Sequence, residues 1–287
     1  MKLILGDNPF FGVNHSIGSK QLLQQEYRFA KASKVILAGV KNGFDQLMLS
    51  AHDEGNSLIH DVSPALREAH CHLSLALVVP YPHTINNLVA ENGYVGAMKR
   101  LLGRNSFGVT YDLARLVLAK KSSVRQSFIR SYIRAEIQNF ESDVIRVASL
   151  CLHNVITDLL LGLGRDDLIV DFIECCESVD VRPVIISQNP TRAMEVDTDI
   201  SHVVCFSYNS IGYMVNPSLH EVDLALDFQK RRPNQELWAM QILASGNLGL
   251  QEAFDGSKLD SFDGILYATN REERIASFID HVQDHFG

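Results

Sequence analysis

Eight short apolar runs recur along the chain, and nearly every one stops at polar residues. They begin with Leu3-Ile4-Leu5-Gly6-Asp7-Asn8, Leu47-Met48-Leu49-Ser50-Ala51-His52-Asp53 and Leu77-Val78-Val79-Pro80-Tyr81-Pro82-His83. Leu150-Cys151-Leu152-His153-Asn154, Val184-Ile185-Ile186-Ser187-Gln188-Asn189 and Val203-Val204-Cys205-Phe206-Ser207-Tyr208-Asn209 follow. Trp238-Ala239-Met240-Gln241-Ile242-Leu243-Ala244-Ser245 and Ile265-Leu266-Tyr267-Ala268-Thr269-Asn270 complete the set. Near-continuous apolar strands are buried on both faces, which is the habit of parallel sheets. Eight such strands with polar carboxyl ends predict a single (β/α)₈ barrel over residues 1–287, with its site where the strands end.

The intervals support this reading. Amphipathic segments are expected at 33–41, at 64–69 with Ser63 as N-cap and Pro64 at N1, and at 155–177, 217–230 and 271–282. Strand and helix in steady alternation imply a parallel sheet. One interval is too long for a single βα unit: residues 84–146 read as a helical insert over the barrel mouth. From Ala97 to Arg134 it carries nine cations and one acid, Asp112, within a chain of net charge -8. It reads either as a lid that draws in an anionic substrate, or as a solvated helical hairpin or oligomer contact.

Composition bounds the partners. The chain is 46% hydrophobic and 21% charged, ordinary values for a globular protein. Its acidic balance gives no case for nucleic acid, and no apolar stretch approaches the ~20 residues of a membrane helix. The five cysteines form no C-x-x-C pair and read as reduced packing residues in a cytoplasmic protein. A small-molecule substrate and a possible homo-oligomer are the expected partners.

The strand ends supply the chemistry. Asp7 is a general base, an anchor for a substrate hydroxyl, or a turn cap; Asn8 lies beside it, with Asn14 and His15 beyond. His52, Asp53 and Glu54 are three titratable groups in a row, with His52 suited to acid/base work near neutral pH. With His83 and His153 they offer a mixed set for a divalent metal, although no local ligand spacing supports one. Tyr81, Asn154, Gln188, Asn189, Tyr208, Asn209 and Gln241 are expected to orient a polar ligand. Ser245, Asn270 and Arg271 are anion contacts or helix caps, because the loops after strands seven and eight often hold phosphate in this fold. No lysine lies in or at the end of any run, which argues against a Schiff-base aldolase. Walker and Rossmann phosphate loops are missing as well.

Several stretches resemble the aldo-keto reductase superfamily. Gly6-Asp7-Asn8-Pro9-Phe10-Phe11-Gly12 is similar to its opening strand, and Ala51-His52-Asp53-Glu54-Gly55-Asn56-Ser57 to its A-x-x-Y-G-x-S stretch. Leu150-Cys151-Leu152-His153 resembles its fourth strand, which ends in a catalytic histidine. Leu243 to Gly249 resembles its seventh-strand loop, and Ala268 to Arg274 the junction that helps to hold NADPH. The resemblance implies a barrel, an NADPH site and a catalytic role for His153. It also implies an Asp, Tyr, Lys and His tetrad, but this chain has Leu49 and Glu54 at the Asp and Tyr positions and Pro80-Tyr81 where the Lys is expected. The tyrosine is that family's proton donor. The residues therefore point to a divergent relative with two open chemistries. One is lyase- or isomerase-like acid/base catalysis by His153, His52, Asp7 and Asp53; the other is atypical reduction with NADPH. A non-catalytic ligand- or protein-binding barrel is the third reading.

Overall fold

A computed structural model describes residues 1–12, 25–80, 122–228, 232–255 and 257–287. Eight parallel strands close into a barrel in sequence order. They are β1 (Lys2–Gly6), β2 (Gln46–Ser50), β3 (Leu73–Val79), β4 (Ile145–Leu152), β5 (Arg182–Ile186), β6 (His202–Ser207), β7 (Gln235–Met240) and β8 (Gly264–Tyr267). Around them run α1 (Gln25–Lys41), α2 (Asp53–Glu68), α3 (Ser122–Phe140), α4 (Asn154–Gly162), α5 (Asp166–Glu177), α6 (Pro190–Ala193), α7 (Leu219–Asp227), α8 (Leu250–Phe254) and α9 (Glu273–Phe286). Among the described residues, no helix is long and apolar enough to cross a membrane.

The period of two along each strand divides the core. Ile4, Met48, Val78, Cys151, Val184, Cys205 and Trp238 face the barrel axis. Their neighbours Leu5, Leu47, Leu77, Leu150, Ile185, Phe206 and Leu237 pack outward under the helices. All five cysteines are free thiols, and four of them are buried. At the amino-end floor, the Glu236 carboxylate accepts from Lys2 Nζ at 3.3 Å and pairs with the Arg182 guanidinium.

Several expected boundaries move, each for a local reason. Ser63 is not an N-cap: α2 begins at Asp53, with His52 capping it, and runs on through Pro64. The Ser63 hydroxyl donates to the Ile59 carbonyl from inside the helix. The expected helix over 155–177 is two helices, α4 and α5, separated at Gly164, whose φ of 62° belongs to the left-handed region.

The end of the expected insert belongs to the barrel wall. Helix α3 lies on α5, where Arg125 Nε donates to buried Asp171 at 2.8 Å and Arg125 Nη2 pairs with Asp167 at 3.2 Å. Ile145 and Arg146 are already in β4. Arg125, Arg130 and Arg134 therefore ride the outer helix that any βα unit needs. Residues 81–121, which carry the rest of the basic segment, lie outside the described set.

Candidate functional site

At the end of β1, Asp7 is 7% exposed, and its Oδ2 accepts from the Ser50 amide at 2.8 Å. Burial pushes its carboxyl up from 3.8 to about 6, although the hydrogen bonds from Ser50 pull the other way. The β1 and β2 ends are thereby tied together by a carboxyl that titrates near neutrality.

The β2 end turns sharply into α2. A Cβ on Gly55 would lie 2.6 Å from the Ser50 carbonyl oxygen, so only glycine permits this approach. The Gly55 amide donates to His52 Nδ1 at 3.0 Å, and the ring meets Phe11 edge-on with centroids 4.6 Å apart. With Nδ1 accepting, the neutral ring carries its proton on Nε2. Burial lowers the His52 pKa, against the smaller upward pull of Glu54 and Asp53. Asp53 is exposed in the first turn of α2, and Glu54 lies 3.6 Å from Arg28 Nη2. At the end of β4, His153 caps α4 in the same manner: its Nδ1 accepts from the Val155 amide at 3.2 Å. Asn154 opens that helix, half-buried. Both histidines are thus held by the helix they cap.

On the far side the expected residues divide. The backbone amide of Gln188 donates to Asp158 Oδ2 at 3.0 Å, and the Ser187 hydroxyl donates to Asp158 Oδ1 at 2.6 Å. Asp158 was not anticipated, because it lies one helical turn into α4 rather than at a strand end. Asn189 is exposed and caps α6, its Oδ1 accepting from Thr191 Oγ1 at 3.0 Å. Asn209 is buried and clamps the following loop, with Nδ2 donating to the Tyr213 carbonyl and Oδ1 accepting from the Tyr213 amide, both at 2.8 Å.

Tyr208 points away from the mouth. It stands one residue out of register with the inward Cys205 and Ser207, and its ring packs against Phe262 in the outer layer. Its hydroxyl donates to Asp223 on α7 at 2.8 Å and accepts from the Lys258 amide at 3.2 Å. Replacing Tyr208 with phenylalanine is expected to cost about 1–3 kcal/mol, the toll of two broken buried hydrogen bonds, without weakening ligand binding at the mouth. Urea denaturation checks the first part. Unchanged stability with weakened ligand binding would reverse the assignment.

A cleft of 380 Å³ opens at the ends of β7, β8 and β1. Asn8, Gln241, Ser245 and Asn270 converge there, and the cation among its lining residues is Arg274. Arg271 is exposed, with its amide donating to Thr269 Oγ1 at 3.1 Å. The helical spacing of three between Arg271 and Arg274 was the available signal. The backbone of this cleft is strained: Gln241, Ala244 and Ser245 have φ of 59°, 46° and 58°. Strain of this kind persists where surrounding structure enforces it, and it concentrates at binding sites. Gln241 is held there by its Oε1, which accepts from the Ser207 hydroxyl at 3.2 Å. A larger hollow, 480 Å³, lies by the amino end of β7 near Arg232 and Asp263, away from every strand-end group.

Asn14, His15, Tyr81 and His83 lie outside the described residues. Among the described residues, no group of three or more His, Cys, Asp or Glu side chains is placed to hold a metal ion.

No protein-family profile and no curated protein matches the chain by sequence. Its fold is similar to that of solved aldo-keto reductases. A protein assigned to that class from Pseudomonas aeruginosa matches with a TM-score of 0.58 at 11% identity, covering 99% of this chain and 90% of the other. An aldo-keto reductase from Bacillus halodurans, in its holo form, matches at 0.56 and 12% identity, covering 98% and 86%. A glycerol dehydrogenase from Gluconobacter oxydans matches at 0.53 and 12% identity, covering 99% and 86%. At these identities the likeness is one of fold.

Proposed function

We propose that this barrel is a cytoplasmic enzyme acting on a small, polar, anionic metabolite by acid/base chemistry. The observation that carries the reading is the strand 7–8–1 cleft, where Arg274 stands with Asn8, Gln241, Ser245 and Asn270. Arg274 is suited to an anionic group, and the amide side chains to hydroxyls. His52 and His153, with Nδ1 accepting from their helices, act as neutral imidazoles rather than as cations. Neutral imidazole at a helix N-terminus is a known way to polarise a substrate oxygen. Asp7, with a carboxyl titrating at about 6, supplies a proton carrier. Asp53 and Glu54 shape the potential at the mouth.

The second reading is reduction with NADPH, favoured by the cleft's place at β7 and β8, where the resemblance puts that cofactor. Arg274 and the turn at 244–246 suit its phosphates. The proton-donor position does not suit reduction, because Glu54 stands there beside Arg28.

Thermal-shift and fluorescence titrations with phosphate monoesters and NADPH decide between the readings, with divalent metals as a third arm. Under the first, a sugar phosphate binds saturably and Arg274→Ala weakens it about 10- to 100-fold, the range for a charge-assisted contact. Saturable NADPH binding without monoester binding would transfer the case to the reductase. No response to any of them would leave a non-catalytic barrel.

A further inference from the structure

Two contacts hold the half-buried His52 imidazole. The Gly55 amide donates to Nδ1 at 3.0 Å and pins one edge of the ring. Phe11 meets the ring at 75°, with centroids 4.6 Å apart. The first contact is the helix cap itself. The second comes from another element, and capping α2 does not require it. Phe11 ends the 3₁₀ turn Asn8–Phe11, where Pro9 fixes one φ. The Phe10 amide donates to the Asp7 carbonyl at 2.8 Å, and Phe10 is buried. Gly12 closes the turn with φ of 69°, its amide donating to the Asn8 carbonyl. Buried Phe29 of α1 stands edge-on to Phe11, with centroids 6.3 Å apart. Asn8, Pro9 and Gly12 line the strand 7–8–1 cleft, so one braced turn supplies both a cleft wall and the cover of His52.

We infer that Phe11 is a positioning residue: together with the Gly55 amide it holds the His52 imidazole neutral and in one orientation, with Nε2 its sole proton carrier. This rests on the acid/base reading of His52. An ordinary imidazole is still about a quarter charged at pH 7. Protonating Nδ1 would set its N–H against the Gly55 N–H, and the apolar ring keeps off the water that would hydrate the cation. Burial accordingly lowers the His52 pKa. Among the described residues, the charged groups around His52 are Asp53 and Glu54 on α2, Arg28 on α1 and Asp7 at the end of β1. Asp53 and Glu54 favour the cation, Arg28 lies 3.6 Å from Glu54, and Asp7 accepts from the Ser50 amide. Substituting Phe11 changes none of these charges. An aromatic face can also attract a cation, worth about 0.5–1 kcal/mol at exposed sites, so the sign of the Phe11 effect separates the two roles.

The test is an NMR pH titration of His52 Cε1–H in the full-length protein. The chain has 11 histidines, and His52→Gln identifies the signal by its loss. In the wild type the midpoint should lie below the ordinary value of about 6.5, with nitrogen shifts of the Nε2–H form. Phe11→Ala should raise the midpoint toward that ordinary value. Phe11→Leu, apolar but without a π face, should restore the wild-type midpoint. If Phe11→Ala fails to fold, Phe11→Gln takes its place with the same expectation. A midpoint unmoved by the loss of Phe11 would leave the cap alone in charge of His52. A midpoint that falls would make Phe11 a partner of the cation. Either result overturns the proposal. Inorganic phosphate, titrated into the wild type by thermal shift, tests the anion reading of the cleft separately. No response there counts against that reading, while the His52 titration decides the role of Phe11 on its own.

Discussion

Replacing Gly264 with valine should lower the thermal unfolding midpoint by roughly 5–10 °C. A Cβ at this position would lie 2.7 Å from Trp238 Cδ1, 2.9 Å from Trp238 Nε1 and 3.2 Å from Ile4 Cδ1. The indole is a rigid plate within a closed barrel, and Trp238 is 0% exposed, so it has nowhere to swing. Overpacking of a dense core costs about 1–3 kcal/mol, and the upper end applies where the obstacle is a ring. In a protein of this size each kcal/mol moves the midpoint by about 2–4 °C. The double variant with Trp238→Phe should recover part of the loss, because the smaller ring relieves the clash. A midpoint unchanged in the single variant would show that β8 can move away from the indole.

Asp7→Asn should raise stability above pH 6 and flatten its pH dependence. The folded carboxyl titrates at about 6 and the unfolded one near 3.8. Between these values the folded state holds more protons than the unfolded state, so stability falls as pH rises through that window. From about pH 7 the cost is complete, about 3 kcal/mol by the linkage relation. Well below pH 3.8 both states are protonated and the penalty vanishes. Asparagine keeps an oxygen for the Ser50 amide without the buried charge. Urea denaturation at intervals from pH 4 to 8 measures this, and equal slopes in the two proteins would refute the burial effect. The same substitution should abolish the activity proposed for the mouth, the usual exchange of stability for a buried functional group.

Much of the fold was legible because burial on both faces writes a continuous apolar run, and each run in the sequence became a strand. Orientation at the strand ends was harder. Tyr208 and Asn209 are adjacent and both polar, but only the period of two counted from Cys205 separates them. Applying that period would have sent Tyr208 outward at once. Arg271 and Arg274 differ by one helical turn, and choosing between them needs the start of α9 at Glu273, which no strong cap marks. His52 and His153 were read as acid/base groups without their capping role, since a histidine cap has none of the familiarity of Ser or Asp. Ser63-Pro64 looked like a helix start because proline favours that position, yet α2 had already begun ten residues earlier. At the end of the basic segment Arg125 answers a buried aspartate, a contact that counting charges along the sequence does not reveal.

The pairing of β1 with β8 has a consequence for how the protein is made. Lys2 to Leu5 have their partners at Gly264 to Tyr267, more than 250 positions along the chain. While the polypeptide emerges from a ribosome, β1 and β7 are bare edges, and Trp238 lacks the Gly264 surface it rests on. Such edges recruit other strands, and contacts this distant in sequence form slowly. A nascent chain stalled before residue 264 is therefore a sticky open sheet, and chaperone dependence should end abruptly once β8 clears the exit tunnel.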